Sequence, residues 1–439
     1  MDIKTMSGLA SFIKSAPTAF HAVEKISGIL KENGFEELKE RKKWVLEPGK
    51  CYYVTRNHSS IIAFKTGEEL EDYSFHVTAS HSDSPTFKLK ENAELEIKKK
   101  YTVLNTEGYG GMICSSWFDR PLSVAGRVIV KTENGMETWL LNLDRELVMI
   151  PSLAIHMDRS VNEGHAYNKQ VDTLPILAGE GKEPGVMKEL AAQELGVSKE
   201  SIYGMDLFLY NRMAPVVWGC ENEFFSCPQL DDLQCAFASL MGFLSGCHKK
   251  NVNVYACFDN EEVGSGTKQG AGSTFLFDTL WRINKALGKD EEDFYRAAAG
   301  SFLLSCDNAH AVHPNYKEKT DAANCVYMNE GIVVKSHAGQ KYTSDALSIA
   351  VFREICERAE VPVQFFANRS DEAGGSTLGN IAMSQVSMNA VDIGLPQLAM
   401  HSAYETSGVK DTGYLIKAAS MFYGIHINML GDGSFRIEE

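Results

Sequence analysis

The pattern of apolar and polar positions changes character twice along the chain. Residues 17–33 (PTAFHAVEKISGILKEN) carry apolar residues at helical spacing, with Pro17 near the start and Gly34 past the end, and predict an amphipathic helix. Between 51 and 90 the segments CYYVT, SIIAFK and SFHVTAS predict strands. From about 91 to 220 short strands and turns take over. There, 126–131 and 137–142 flank Thr132-Glu133-Asn134-Gly135, a hairpin signal, and the polar stretch 178–200 predicts a loop and a helix. From Cys227 the first texture returns. Helices are predicted at 231–246, 273–287, 344–358 and 377–386, alternating with strands at 252–258, 301–306, 331–335, 361–366 and 391–395. Such alternation implies an α/β fold, a mostly parallel sheet flanked by helices. The middle block reads as a β-rich second domain inserted at a surface loop. The expected organisation is an α/β domain made of 1–90 and 221–439, with the insert over 91–220.

Four of the predicted strands end in residues that carry chemistry. VNVYACF (252–258) is followed by Asp259-Asn260-Glu261-Glu262-Val263-Gly264. SFHVTAS (74–80) ends in His81-Ser82-Asp83-Ser84-Pro85, SFLLSC (301–306) in Asp307, and VDIGL (391–395) in PQLAM and His401. Ligands of open α/β sheets bind beyond the carboxyl ends of the strands, so these groups point to one convergent site. Neighbouring side chains of an extended segment face opposite sides, so one of Glu261 and Glu262 can meet a metal and the other a water. His81 and Asp83, two apart, share a face, and Asp83 can orient the imidazole. Oxygen and imidazole donors without thiolate suit zinc, manganese or cobalt in a hydrolytic centre.

Each motif alone has a plainer reading. HSDSP is good turn chemistry, Asp231-Asp232 before an apolar run reads as a helix cap, and a lone His401 is more often a packed residue than a ligand. The inference rests on the conjunction. The tract Gly264–Gly272 is neither a phosphate loop nor a dinucleotide fingerprint, because Lys268 follows Thr267 and Gln269 stands where a third glycine belongs. No G-x-S-x-G nucleophile motif occurs.

Composition narrows the class further. Basic residues number 43 and acidic 58, a net charge of −15, which argues against nucleic acid and anionic membranes as partners. The ten cysteines include no C-x-x-C pair, which suits free thiols in a reducing compartment. The apolar uncharged run 233–247 is too short to span a bilayer, and the N-terminal apolar segment is too interrupted for a secretory signal. The expected location is the cytoplasm.

The motifs HSDSP (81–85), YGGMICSSWFDRPLSVAGRV (109–128), PSLAIH (151–156), PQLDDL (228–233), FDNEEVGS (258–265), CDNAHAVHPNY (306–316) and PQLAMHS (396–402) together resemble the M18 family of aspartyl aminopeptidase-like metallopeptidases. The resemblance spans nearly the whole chain with the motifs in order. It implies the two-metal zinc peptidase fold and a metalloaminopeptidase that removes N-terminal residues, expected to be Asp or Glu, from peptides with a free N-terminus. It also implies two divalent ions per subunit, zinc first, with cobalt or manganese as alternatives. His81 and Asp307 would hold one ion, Glu262 and His401 the other, and Asp231 would bridge them. Glu261 would be the general base, and Asp83 would orient His81. Lys335 and Tyr342 correspond to the lysine and tyrosine associated with acidic preference. The insert would be a dimerisation domain, the dimers would assemble into a tetrahedral dodecamer, and His156 would reach toward a neighbouring subunit's site. The chain departs from the family at Cys114-Ser115-Ser116 and at Pro121, which bears on substrate range. The alternatives are an aminopeptidase of neutral or broad specificity and an N-acyl amino acid deacylase on the same scaffold.

Overall fold

The computed structural model describes residues 2–438; Met1 and Glu439, the outermost residues of the expected α/β domain, lie outside them. The chain divides into two compact units, one of Met1–Asp83, Pro215–Met400 and Glu405–Glu439, the other of Ser84–Ala214 and His401–Tyr404.

A nine-stranded sheet forms the centre of the first unit. Its strands are β1 (Glu36–Leu38), β2 (Cys51–Arg56), β3 (Ser60–Thr66), β4 (Ser74–His81), β5 (Asn251–Phe258), β6 (Phe302–Cys306), β7 (Ile332–Lys335), β8 (Val363–Phe366) and β9 (Asn389–Gly394). Their order is β1-β2-β3-β5-β4-β6-β9-β7-β8. The four middle strands, β5, β4, β6 and β9, are mutually parallel. The sheet as a whole is mixed, because β3 runs antiparallel to both β2 and β5, and β7 antiparallel to β9. The three-residue link Asn57–Ser59 between β2 and β3 forces that reversal, since a parallel crossover needs about a dozen residues.

Both faces of the sheet are covered, which is why β4, β5 and β6 are buried along their whole length. Along β5, Tyr255 and Cys257 join one core while Val254 and Ala256 join the other, as a period of two requires. The first core takes side chains from α1 (Asp2–Lys14), α2 (Ala19–Glu32), α3 (Leu230–Ser245), α6 (Ala346–Arg358) and α8 (Asp411–Gly424). The second takes them from α4 (Phe275–Ala286), α5 (Glu291–Ala299) and α7 (Leu378–Met383). Gly242 lets α3 and α8 approach closely: a Cβ there would meet the Ala419 Cβ at 2.5 Å. That contact seats α3, whose first turn carries Asp231. No helix among the described residues is long and apolar enough to cross a membrane.

Short strands extend the first unit beyond the sheet's carboxyl edge. Val216–Trp218, Phe224–Cys227, Glu405–Gly408, Pro396–Leu398 and Ala309–His310 form a five-stranded sheet in that order. Ala309 pairs with Pro396 and His310 with Gln397, so the segment after Asp307 is held in place by backbone ladders.

The second unit is built on an antiparallel six-stranded sheet. It runs Gly135–Asn142, Leu122–Thr132, Ile202–Asn211, Thr86–Ile97, Tyr101–Tyr109 and Ile176–Ala178. The helix Val186–Leu195 contributes Met187, Ala191 and Ala192 to a core with Phe87, Leu104, Val124 and Leu207.

Candidate metal centre

The four parallel middle strands bring their carboxyl ends to one edge. His81 is the last residue of β4, Asp259 follows β5 and Asp307 follows β6. Asp231 arrives from α3 on the same side. Its backbone is non-helical (φ −83°, ψ 106°), Gln229 occupies the N-cap position, and no side-chain cap forms. The cap reading of Asp231 is therefore corrected. Its carboxylate faces His81, and its own N–H donates to Glu405 Oε2 at 3.0 Å.

His81 is buried, and its two ring nitrogens have different surroundings. Nδ1 lies 3.0 Å from the Asp83 carbonyl oxygen and 3.4 Å from Asp83 Oδ1. Nε2 faces Asp231 Oδ1 at 3.6 Å and Asp307 Oδ1 at 3.9 Å. A proton on Nδ1, held by Asp83, leaves the Nε2 lone pair toward the carboxylates. The His81 N–H donates to Asp232 Oδ2 at 3.1 Å, so the second aspartate of the pair fixes the strand end. Asp83 does more than orient the ring. Its Oδ1 accepts the Glu261 N–H at 3.1 Å and its Oδ2 the Glu262 N–H at 3.2 Å. One carboxylate thus ties the imidazole to the Glu-Glu turn.

His81, Asp231 and Asp307 each offer a ligand atom within 4.8 Å of the others, and so do His81, Glu261 and Glu262. The electrostatics are those of crowded buried carboxylates. Burial pushes Glu261 up to about 8, against His81, which lowers it, and with Asp307, Asp83 and Asp231, which raise it further. Burial likewise lifts Asp307 to about 6, although Lys335 opposes the rise. Burial alone would lower His81, but Asp231 and Asp83 raise it well above its ordinary value. Negative charge exceeds positive charge in a desolvated space. The donor set is hard oxygen plus imidazole nitrogen, so the residues present fit a divalent cation such as zinc.

Lys335 ends β7 and is 3% exposed. Its Nζ donates to the Asn308 carbonyl at 2.7 Å, lies 3.8 Å from Asp307 Oδ2, and sits 5.6 Å from the Tyr342 ring centre. Burial would lower this lysine, but Asp307 and the neighbouring acidic groups raise it overall. Of the remaining expected residues, two belong to the second unit. His156 lies in the exposed segment 151–157. His401 Nδ1 lies 2.9 Å from the Gly111 carbonyl oxygen.

The sequence reading did not single out Asp232, Glu405, Asn308 or Gln397. Asn308 Nδ2 donates to the Leu230 carbonyl at 3.0 Å and to Gln397 Oε1 at 2.9 Å, which ties the segment after Asp307 to the start of α3. The signal available was a polar residue at a position that ladder pairing buries, and no local pattern marks it.

Comparison with known proteins gives the family. The sequence profile described as Aminopeptidase I zinc metalloprotease (M18) matches residues 12–423. A probable M18 family aminopeptidase 2 of Clostridium novyi (strain NT) is 48% identical over 429 residues, 96% of this chain and 99% of the relative. Its counterpart in Clostridium acetobutylicum is 47% identical over 423 residues, 95% of this chain and 98% of the relative. Among solved structures, the chain is similar to one in a cryo-EM complex of Ape4 and Nbr1 (TM-score 0.92, 34% identity, 95% of this chain and 85% of that one). It is also similar to the S. cerevisiae mApe1 dodecamer (TM-score 0.83, 25% identity, 95% and 96%). The chain belongs to the M18 family of zinc metallopeptidases, and it is a metalloaminopeptidase.

Proposed function

We propose that this enzyme removes N-terminal residues, acidic ones first, from peptides with a free amino group, with two divalent ions in each subunit. The observation that carries the reading is the meeting of His81, Asp231 and Asp307 with the Glu261-Glu262 turn at the carboxyl edge of the parallel strands. His81 and Asp307 would hold one ion, Glu262 and His401 the other, and Asp231 would serve both. Bound divalent cations, zinc first and cobalt or manganese otherwise, supply Lewis acidity and lower the pKa of water toward about 7.

The protein's own residues do the rest. Glu261 is lifted to about 8 by burial, so its carboxylate is a strong enough base to take a proton from water and return it to the leaving amine. Asp83 holds both the base's backbone and the His81 ring, so base and ligand keep a fixed separation. Lys335 and Tyr342 would receive the side-chain carboxylate of the first residue.

The α/β parts, 1–90 and 221–439, would be the catalytic domain and 91–220 the dimerisation domain. Dimers would assemble into a tetrahedral dodecamer in the cytoplasm, with His156 reaching a neighbouring site; the dodecameric neighbour supports that assembly.

One observation favours a second reading, an aminopeptidase of broad specificity. The Lys335 ammonium is already engaged by Asn308 and Asp307 and is buried, so a substrate carboxylate would have to compete for it. The test is initial rates on Asp-, Glu-, Leu- and Lys-p-nitroanilide after dialysis against chelator and re-addition of zinc, manganese or cobalt. Metal-dependent cleavage led by Asp or Glu supports the acidic pocket. A lead by Leu or Lys leaves the aminopeptidase and removes the acidic preference. Absence of cleavage with every metal overturns the proposal.

A further inference from the structure

The glycine-rich tract 264–272 follows the Glu261-Glu262 turn directly and carries none of the expected ligands. It closes on itself. The Ser265 N–H donates to the Asn260 carbonyl at 2.7 Å, and the Gly272 N–H donates to the Ser265 carbonyl at 3.2 Å. A Cβ on Gly270 would meet that Ser265 carbonyl oxygen at 2.3 Å, so the close approach requires glycine there. Two strand ends anchor the tract. Arg56, which closes β2, donates to the Lys268 carbonyl at 3.3 Å and pairs with Asp278 of α4 at 3.1 Å. The Ser60 hydroxyl, at the start of β3, donates to the Gln269 carbonyl at 2.8 Å and accepts the Asp259 N–H at 2.9 Å.

Asn260 joins this anchored tract to the base. Its backbone is left-handed (φ 64°, ψ 25°), and it immediately precedes Glu261–Val263, a single 3₁₀ turn. Asparagine accepts that conformation more readily than most side chains. It is also a preferred cap, yet its side chain makes no cap bond here. The Glu261 and Glu262 N–H groups go to Asp83 instead. Asn260 Oδ1 accepts from the Thr267 hydroxyl at 2.8 Å and from Gln269 Nε2 at 2.7 Å. The turn is therefore held at two points. Asp83 grips its N–H groups, and Asn260 fixes the backbone from which it departs.

We propose, on the aminopeptidase reading above, that Thr267 and Gln269 form a brace on Asn260 that sets the direction of Glu261, making Asn260 a positioning residue for the general base. The brace acts on the reacting geometry through the backbone, since a base that swings out of line loses rate even when its chemistry is intact. Thr267 is exposed, so its variants are expected to fold.

The test uses metal-loaded enzyme, with kcat expressed per metal-loaded subunit, so that a loss of folded protein does not count. The variants are Thr267→Val, Thr267→Ser, Asn260→Gly and the double variant Asn260→Gly/Thr267→Val. Glycine keeps the positive φ and removes only the amide. Thr267→Val is expected to lower kcat about two- to five-fold with KM unchanged, at most the worth of one neutral hydrogen bond of about 1 kcal/mol. Asn260→Gly, which loses two such bonds, should lower it about five- to 25-fold. Thr267→Ser, which keeps the hydroxyl, should match the wild type. In the Asn260→Gly background Thr267→Val should add nothing, because its effect passes through Asn260. Hydrogen exchange of the backbone amides in 261–265 should be faster in Thr267→Val and Asn260→Gly and unchanged in Thr267→Ser. Unchanged kcat in both of the first two variants overturns the brace. So does a rise in KM alone, or an additive double variant. A wild type that cleaves no substrate with any metal overturns the underlying aminopeptidase reading instead, and the two failures are distinguishable because exchange is read without turnover.

Discussion

Asp83 is the position where a small change has the largest expected reach. Asp83→Asn keeps the shape of the side chain and removes its charge. In the native chain the two carboxylate oxygens accept the Glu261 and Glu262 N–H groups at 3.1 and 3.2 Å, and one of them lies 3.4 Å from His81 Nδ1. An asparagine offers one oxygen, so one backbone N–H is left facing an NH₂ group. A hydrogen bond to a charged partner contributes about 1.5–3 kcal/mol. Loss of one such bond corresponds to a factor of roughly 10–100, the range typical for groups that orient a metal ligand. Because the same carboxylate touches both the ligand and the turn of the base, two readouts should move together. Metal affinity, measured by competition with a chromophoric chelator, should fall about 10–100-fold. The kcat at saturating metal should also fall by at least about 10-fold, because the Glu261 turn is no longer pinned. A variant that binds metal normally and turns over at the wild-type rate would refute the positioning argument. Lost affinity with unchanged kcat at saturating metal would confine Asp83 to the imidazole.

Other consequences can be measured independently. Asp392 is fully buried and accepts from the Thr343 N–H, the Thr343 hydroxyl at 2.9 Å and the Thr377 hydroxyl at 2.7 Å, pinning the loop that carries Tyr342. Asp392→Ala should destabilise the fold by about 3 kcal/mol or more in urea unfolding, and a change below about 1 kcal/mol would contradict that role. His76, buried between Phe422 and Asn251, is pushed down to about 3 by burial. The unfolded chain then binds a proton that the native state refuses between about pH 3 and 6.5, so stability rises with pH across that window and falls on acidification. The limiting slope from this group is about 1.4 kcal/mol per pH unit; His76→Asn should flatten the dependence between pH 5 and 7, and an unaltered slope would exclude His76 as its source. Gly242→Val should destabilise by about 1–3 kcal/mol or more, because the new side chain meets α8 at Ala419; unchanged thermal stability would mean that the two helices separate at little cost.

Much of this architecture could be read from local patterns because the central strands are buried on both faces. Strand-like segments ending in His81, Asp259 and Asp307 marked both the sheet and its functional edge. What the patterns could not carry was anything set by contacts distant in sequence. Asp231 looks like a helix cap locally, and only the packing of α3 on the sheet turns it toward His81. Asn308 and Gln397 are unremarkable polar residues until the ladder after Asp307 buries them together. The reversal of β3 follows from the length of one turn rather than from apolar periodicity. Helices α1, α5 and α8 and the C-terminal hairpin His426–Gly431 with Ser434–Glu438 were not anticipated. Their positions are fixed by docking on the sheet; α5 adds a capping box between Asp290 and Asp293, which was legible but not read.

The most direct test of the central claim is Glu261→Gln, with metal content and turnover measured on the same sample. Glu261 is expected to move protons rather than to hold the ions. The variant should therefore keep the wild-type metal content while kcat falls by about 10²–10⁴-fold, the usual contribution of a positioned base. Wild-type turnover with full metal content would contradict the assignment of Glu261. Loss of metal would contradict the division of labour between Glu261 and the ligands around it.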